Sequence, residues 1–214
     1  TFREASATRR IVAIGDVHGD LGSARDALRV AGLIDSANRW SGGTTLAVQV
    51  GDQLDRGDDE RAILDWFELL ADQAWAAGGG FYPLIGNHET MNVAWDFRYV
   101  TAGGWRDFAD VTSAPSTPST AGFPADQRGR AAAFTPGGPY ASILAGHNTI
   151  MVIGDTVFVH GGVLTGHVQT GLDRINGGIQ AWMAGKTAPP TVISSDESPV
   201  WSRHYSDDPD SGDC

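Results

Sequence analysis

Short apolar runs alternate with longer amphipathic stretches along the first half of the chain. Ile11-Val12-Ala13-Ile14 is a brief β-branched run that stops at Gly15-Asp16, which predicts a buried strand ending in a polar loop. Leu21, Ala24, Leu28 and Ala31 follow at helical spacing with Gly32 near the stop, so a helix is predicted from Leu21 to Leu33. A second buried strand, Leu46 to Val50, again runs into Gly-Asp, at Gly51-Asp52. From Asp58 to Ala77 the helical period returns. Asp58, Asp59 and Glu60 suit the positive end of that helix's dipole, and Gly78-Gly79-Gly80 stops it. Phe81 to Ile85 is a third strand, ending at Gly86-Asn87-His88-Glu89. Strand, helix, strand, helix, strand is the order of an α/β sheet.

The second half is less regular. Residues 111–139 are dominated by Thr, Ser, Pro, Gly and Ala, which predicts a surface loop or an excursion that covers a site. Ile150 to Ile153 and Thr156 to Val159 flank Gly154-Asp155 as a tight hairpin, and the second run ends at His160-Gly161-Gly162. Leu172 to Ala184 reads as a helix within a small helical insertion over about 163–196. Asp207 to Cys214 is a polar tail without a packing signal. No internal repeat interrupts this order, and 1–214 is expected to form a single domain.

Composition narrows the function classes. The 214 residues are 41% apolar and 19% charged, enough to bury a core and to exclude global disorder. A formal charge of −11 argues against wholesale binding of nucleic acid or anionic membrane. No apolar run approaches the roughly 20 residues of a membrane-spanning helix. The single cysteine, Cys214, excludes an intramolecular disulfide and lies in no thiolate-phosphatase loop. Thr1 in place of Met suggests a processed form. The compartment stays open between periplasmic or secreted after signal removal and cytoplasmic, in a bacterial type of chain.

The chemistry sits where the apolar runs end. Gly15-Asp16-Val17-His18-Gly19, Gly51-Asp52-Gln53-Leu54-Asp55-Arg56-Gly57, Gly86-Asn87-His88-Glu89 and His160-Gly161-Gly162 each place a small residue beside metal-competent side chains. In open α/β sheets, ligands bind at the carboxyl ends of strands, so these four ends can converge on one site. Carboxylates, imidazoles and an amide suit borderline or hard divalent ions such as Mn, Fe, Zn or Co. Two ions need a bridging carboxylate, and Asp52, central in the run of motifs, is the natural bridge. Asp16 and His18 can reach one ion, Asn87 and His160 the other. A carboxylate at Asp55 can orient and charge the imidazole of His88.

Read as Gly-Asp-x-His-Gly, Gly-Asp-x-x-Asp-Arg-Gly and Gly-Asn-His-Glu, the three signatures resemble the metallophosphoesterases of the phosphoprotein-phosphatase type. Asp52 lies 34 residues after His18 and Asn87 35 after Asp52, as in that family. Asp55-Arg56-Gly57-Asp58-Asp59-Glu60, Gly86-Asn87-His88-Glu89-Thr90-Met91-Asn92 and Ser198-Pro199-Val200-Trp201-Ser202-Arg203 resemble the Shewanella-like subgroup. The likeness spans roughly 11–205. It implies an α/β fold with a central mixed β-sandwich flanked by helices and the site at the carboxyl ends of the strands. It also implies two divalent ions, Mn first among the candidates, with Asp16, His18 and Asp52 on one and Asp52, Asn87 and His160 on the other. His88 becomes the acid that protonates the leaving oxygen, oriented by Asp55. Arg56 and Asn87 bind the phosphate, with Arg203 as a second clamp.

The implied reaction is hydrolysis of a phosphomonoester on a protein Ser or Thr, or Tyr, by a metal-bridging hydroxide. Two other readings stay open: a dinucleoside tetraphosphatase or other small-molecule phosphoesterase, and a catalytically weak phospho-binding protein. The family also supplies a further metal histidine in a Gly-His-Thr-like segment. No such segment follows Arg203, which implies a C-terminally shortened chain or a substitute residue, and Gly146-His147-Asn148-Thr149 precedes His160 instead. His147, His167 and His204 are expected to be solvated or satisfied structurally. Glu89 is expected to support its turn or a helix start, and Trp182 and Trp201 to pack. The partner is a phosphorylated protein or small phosphoester, and the oligomeric state is left open.

Overall fold

The computed structural model describes residues 3–4 and 9–206; the predicted polar tail from Asp207 lies outside the described residues. In chain order the strands are β1 (Arg3–Glu4), β2 (Ile11–Ile14), β3 (Leu46–Gln49), β4 (Gly80–Pro83), β5 (Ile150–Ile153) and β6 (Thr156–Val159). The helices are α1 (Leu21–Val30), α2 (Glu60–Ala76), α3 (Asn87–Val93), α4 (Ala102–Asp107), α5 (Arg128–Phe134), α6 (Pro139–Leu144), α7 (Thr165–Thr170) and α8 (Leu172–Met183), followed by a 3-10 turn at Thr191–Ile193.

Two three-stranded sheets form the centre. One is parallel, in the order β2-β3-β4, with Ile11 beside Leu46 and Leu46 beside Gly80. The other runs β1-β5-β6, with β1 parallel and β6 antiparallel to β5. Successive side chains of a strand leave opposite faces, and β3 uses both. Leu46 and Val48 join Leu84, Met151 and Ile153 in a cluster shared by the two sheets. Ala47 and Phe81 face the other way, onto Leu28 of α1 and Ile63, Phe67 and Leu70 of α2. A third cluster joins Phe108, Phe134, Tyr140 and Leu144 to Ile175, Ile179 and Trp182 of α8. This is the mixed β-sandwich flanked by helices that the resemblance implies.

Some expectations change. β2 is only half-buried, and Ala13 is exposed, whereas β4 at the other edge of the sheet is almost wholly buried. The acidic start of α2 does more than meet a dipole. The helix begins at Glu60, Asp59 makes no side-chain cap, Asp58 accepts from the Thr101 hydroxyl, and Glu60 turns inward. Gly86-Asn87-His88-Glu89, where the third strand is predicted to end, leads into the first turn of α3, the helix start expected at Glu89. The predicted excursion over 111–139 contains α5, whose Gly129, Arg130, Ala131, Ala132, Ala133 and Phe134 are all buried. Trp182 packs in the core as expected, whereas Trp201 is half-buried against a pocket.

Phe67 is 1% exposed and stacks edge-on to Phe81 at 5.0 Å between ring centres. Phe67→Ala is expected to cost about 3–5 kcal/mol, read from the urea midpoint; a loss below about 1 kcal/mol contradicts this packing.

Candidate metal centre

Four strands deliver the site. The loop after β2 carries Asp16 and His18, the loop after β3 carries Asp52, Asp55 and Arg56, the turn after β4 carries Asn87 and His88, and β6 ends at His160. All but Asp55 line one cavity of about 310 Å³, with Tyr99, Trp201 and Arg203 among the other walls.

The loops reach this point through unusual backbone. His18, Asp52, Asp55 and Arg56 have φ of +43°, +57°, +66° and +66°, the left-handed region that L side chains seldom adopt. The signature glycines permit the crossing. A side chain at Gly57 would collide with the backbone of His18 and Gly19, and one at Gly86 with the Asp52 carboxylate.

A buried carboxylate ties the Asp52 loop to the turn after β4. Glu89 Oε1 accepts from the amides of Gln53 (2.9 Å) and Leu54 (3.2 Å), and Oε2 from those of Asp52 (2.8 Å) and Gly86 (2.7 Å). It supports the turn, as expected, and the loop before it as well. Gln53 adds a second tie, donating to Gln49 Oε1 at 2.7 Å and to the Leu84 carbonyl at 2.8 Å. Burial and the neighbouring Asp52 charge push the Glu89 carboxyl up to about 7.

Asp52 stands at the centre. Its Oδ1 accepts the His88 amide at 3.0 Å. Its Oδ2 lies 3.7 Å from His18 Nε2, 3.8 Å from His88 Nε2 and 3.3 Å from His160 Nε2. Two of these imidazoles are aimed by backbone: His18 Nδ1 donates to the Leu54 carbonyl at 2.9 Å and His160 Nδ1 to that of Val50 at 3.1 Å. Their Nε2 atoms are thereby turned toward the Asp52 carboxylate. Asp16 lies between them, 3.7 Å from His18 Nε2 and 3.7 Å from His160 Nδ1. Asn87 Oδ1 is 2.8 Å from His160 Nε2.

Burial raises the Asp52 carboxyl, but the His160 hydrogen bond and the charges of His160 and His88 outweigh it, so Asp52 stays below its ordinary range. Burial lowers the His160 imidazolium, yet the bond to Asp52 and the charges of Asp52, Asp16 and Glu89 carry it above its usual value.

His88 differs from its neighbours. Its Nδ1 donates to Asp55 Oδ2 at 2.6 Å, which leaves Nε2 facing the cavity 3.4 Å from the Arg56 guanidinium. Burial lowers its pKa, but the Asp55 hydrogen bond and the charges of Asp52, Asp55 and Glu89 raise it further than burial depresses it. The exposed Arg56 side chain lies over the Tyr99 ring, with its central carbon 5.5 Å from the ring centre. Arg203 sits exposed on the cavity rim. The remaining histidines lie elsewhere: His147 contacts Glu68 at 2.7 Å and His167 Nδ1 caps the Leu164 amide, while His204 is exposed.

The whole arrangement matches a known pattern over nearly its full length: the family model described as calcineurin-like phosphoesterase covers residues 9–212. The chain belongs to that family. Among curated relatives, Shewanella-like protein phosphatase 2 of Arabidopsis thaliana is 41% identical over 93% of this chain and 59% of its own length. Shewanella-like protein phosphatase 1 of Plasmodium berghei (strain Anka) is 37% identical over 42% of the chain and 25% of its own length. A crystal structure of a point mutant of cold-active protein tyrosine phosphatase aligns with TM-score 0.74 at 25% identity, over 94% of this chain and 60% of that one. The chain thus spans about three-fifths of the length of the first of these relatives and of that structure.

The calcineurin-like phosphoesterase family implies divalent metal ions, and the donors fit them. With His160 Nδ1 committed to a carbonyl, His160 Nε2, Asn87 Oδ1 and Asp52 Oδ2 turn lone pairs toward one another, which calls for a proton or a cation between them. The candidate ligand atoms fall into two groups sharing Asp52, one with Asp16 and His160 and one with His18 and His88. Sequence reasoning missed Arg130 and Tyr99 and gave Glu60 and Asn92 no role in the site. The helix signal of Ala131-Ala132-Ala133-Phe134 was the one available clue to Arg130.

Because its folded pKa is raised, ionised Glu89 disfavours the metal-free fold, so its contribution declines as pH rises from about 4.5 through about 7. In chelator-treated protein, the stability gap between wild type and Glu89→Gln is expected to narrow from about pH 5 to about pH 8. A gap that widens over that range contradicts the assignment.

Proposed function

We propose that the chain is a metal-dependent phosphomonoester hydrolase acting on phosphorylated protein, with two divalent ions, manganese first, shared through Asp52. The observation that carries this is the His88–Asp55 pair: a buried imidazole with Nδ1 committed to a carboxylate and Nε2 presented to the cavity between Asp52 and Arg56. A protein that only bound phosphate has no use for an oriented proton donor, so the dyad favours turnover over the binding-protein reading. The names of the relatives, protein phosphatases and a protein tyrosine phosphatase, support a protein substrate.

Asp16, His18, Asp52, Asn87 and His160 are the ligands we assign, in line with the nitrogen and oxygen donors that suit such ions. Divalent ions there supply charge neutralisation at the phosphoryl oxygens and an acidified water as nucleophile. The protein's own groups do the rest. Arg56 places its planar fork on phosphoryl oxygens. As water attacks phosphorus, the bond to the leaving oxygen breaks, and that oxygen takes the proton from His88 Nε2. Asp55 keeps the proton on Nδ1 and stabilises the charged ring before transfer.

With 4-nitrophenyl phosphate and added manganese, wild type is expected to turn over and to stop when a chelator removes the metal. Asp52→Asn is expected to lower kcat/KM by at least about 10³-fold. His88→Asn is expected to lower kcat on a phosphoseryl or phosphotyrosyl peptide by about 10²–10⁴-fold. Wild-type turnover in His88→Asn contradicts the acid role, and absence of turnover in wild type contradicts the hydrolase reading.

A further inference from the structure

Asp55 has partners beyond His88. Its Oδ1 accepts from Asn92 Nδ2 at 3.1 Å and from an Arg130 terminal nitrogen at 3.2 Å. Arg130 comes from α5 and is fully buried. Each nitrogen of its guanidinium is used. Nε donates to Asn92 Oδ1 at 2.9 Å; one terminal nitrogen reaches Glu60 Oε2 and the Gly104 carbonyl; the other reaches Glu60 Oε1 at 2.8 Å as well as Asp55. Its central carbon lies 5.3 Å from the ring centre of Phe108 and 5.1 Å from that of Phe134. Glu60 also accepts Asp55's own amide, so the Arg130–Glu60 pair grips Asp55 by side chain and by backbone.

Such a cluster is costly. Burying an ion takes several kcal/mol in effective desolvation, and apolar packing of similar volume is often as stable. What the cluster does is geometric. A carboxylate held at Oδ1 by two donors from α3 and α5 cannot swing about its terminal bond, and its Oδ2 is left aimed at His88 Nδ1. Asn92 extends the grip, donating to the His88 carbonyl at 2.9 Å.

We propose that Arg130 is the positioning residue of the dyad: it fixes the Asp55 carboxylate, through it the tautomer and ring plane of His88, and so the direction in which Nε2 meets the leaving oxygen. This rests on the hydrolase reading above.

Arg130→Lys keeps the charge and loses the fork, so it tests the proposal. Two aryl phosphates of similar size separate proton delivery from everything else. The 4-nitrophenolate ion departs readily without a proton, whereas phenolate does not. In Arg130→Lys, kcat on phenyl phosphate is expected to fall about 10²-fold and on 4-nitrophenyl phosphate by less than about tenfold, with KM little changed. In a His88→Asn background, Arg130→Lys is expected to cause almost no further loss. In zinc-loaded protein, the downfield Nδ1 proton resonance that His88→Asn removes is expected to shift or vanish in Arg130→Lys.

Equal losses on both substrates, losses that multiply in the double variant, or an unmoved resonance overturn the proposal. Should Arg130→Lys fail to fold, Asn92→Ser removes the other Oδ1 donor. It is expected to show the same substrate bias at several-fold size, and its absence overturns the proposal equally. If wild type hydrolyses neither substrate, the hydrolase reading fails, and the resonance alone decides the positioning.

Discussion

Glu89 accepts four backbone amides, and those amides belong to the loop that follows β3 and the turn that follows β4. Asp52 is left-handed, and neither the loop it opens nor the turn at Gly86 continues a strand ladder or a helix, so their amides need another partner. A buried amide left unpaired costs about 1–3 kcal/mol. One carboxylate at the start of α3 answers for four of them. It therefore ties the Asp52 loop to the helix that carries Asn87 and His88, and the return bond from the His88 amide to Asp52 Oδ1 closes the unit. Remove that carboxylate and four amides lose their acceptor, with Gln53 and Glu60 left to hold the loop.

On this frame the histidines acquire different tasks from different Nδ1 partners. Backbone carbonyls behind His18 and His160 leave their Nε2 atoms facing the Asp52 carboxylate. A carboxylate behind His88 leaves its Nε2 as a place for a proton. Three imidazoles facing one carboxylate oxygen thus differ in what stands behind them, a carbonyl for two and a carboxylate for the third. Behind the Asp55 carboxylate lies a further polar layer of Arg130, Glu60 and Asn92, reached from α5, α2 and α3 and closed to solvent. Rigidity of the dyad is then a property of three helices packed together and not of one loop.

Much of this was legible in the sequence. Apolar runs that stop at a polar loop report strand ends: Asp16, His18, Asp52, Asp55, Arg56, Asn87 and His88 follow runs that end in Gly-Asp or Gly-Asn, and His160 follows the run Thr156 to Val159. The amphipathic period of α2 and the hairpin around Gly154 were equally plain. Arg130 was hidden for a physical reason. A short helix in a stretch rich in Ser, Thr and Pro carries too few periodic positions to be seen, and a buried guanidinium looks like any surface arginine until its five donors are traced. The half-exposure of β2 was hidden because a short apolar run does not encode what packs against its faces.

The central claim is that Asp52 is the shared carboxylate on which two groups of ligands meet. Crystals soaked in manganese, with anomalous diffraction measured at the manganese edge, test it most directly. The expected map has two peaks flanking the Asp52 carboxylate about 3.5–4 Å apart, one within bonding distance of Asn87 and His160. Manganese density absent from Asp52, or a single ion that Asp52 does not touch, would contradict the account.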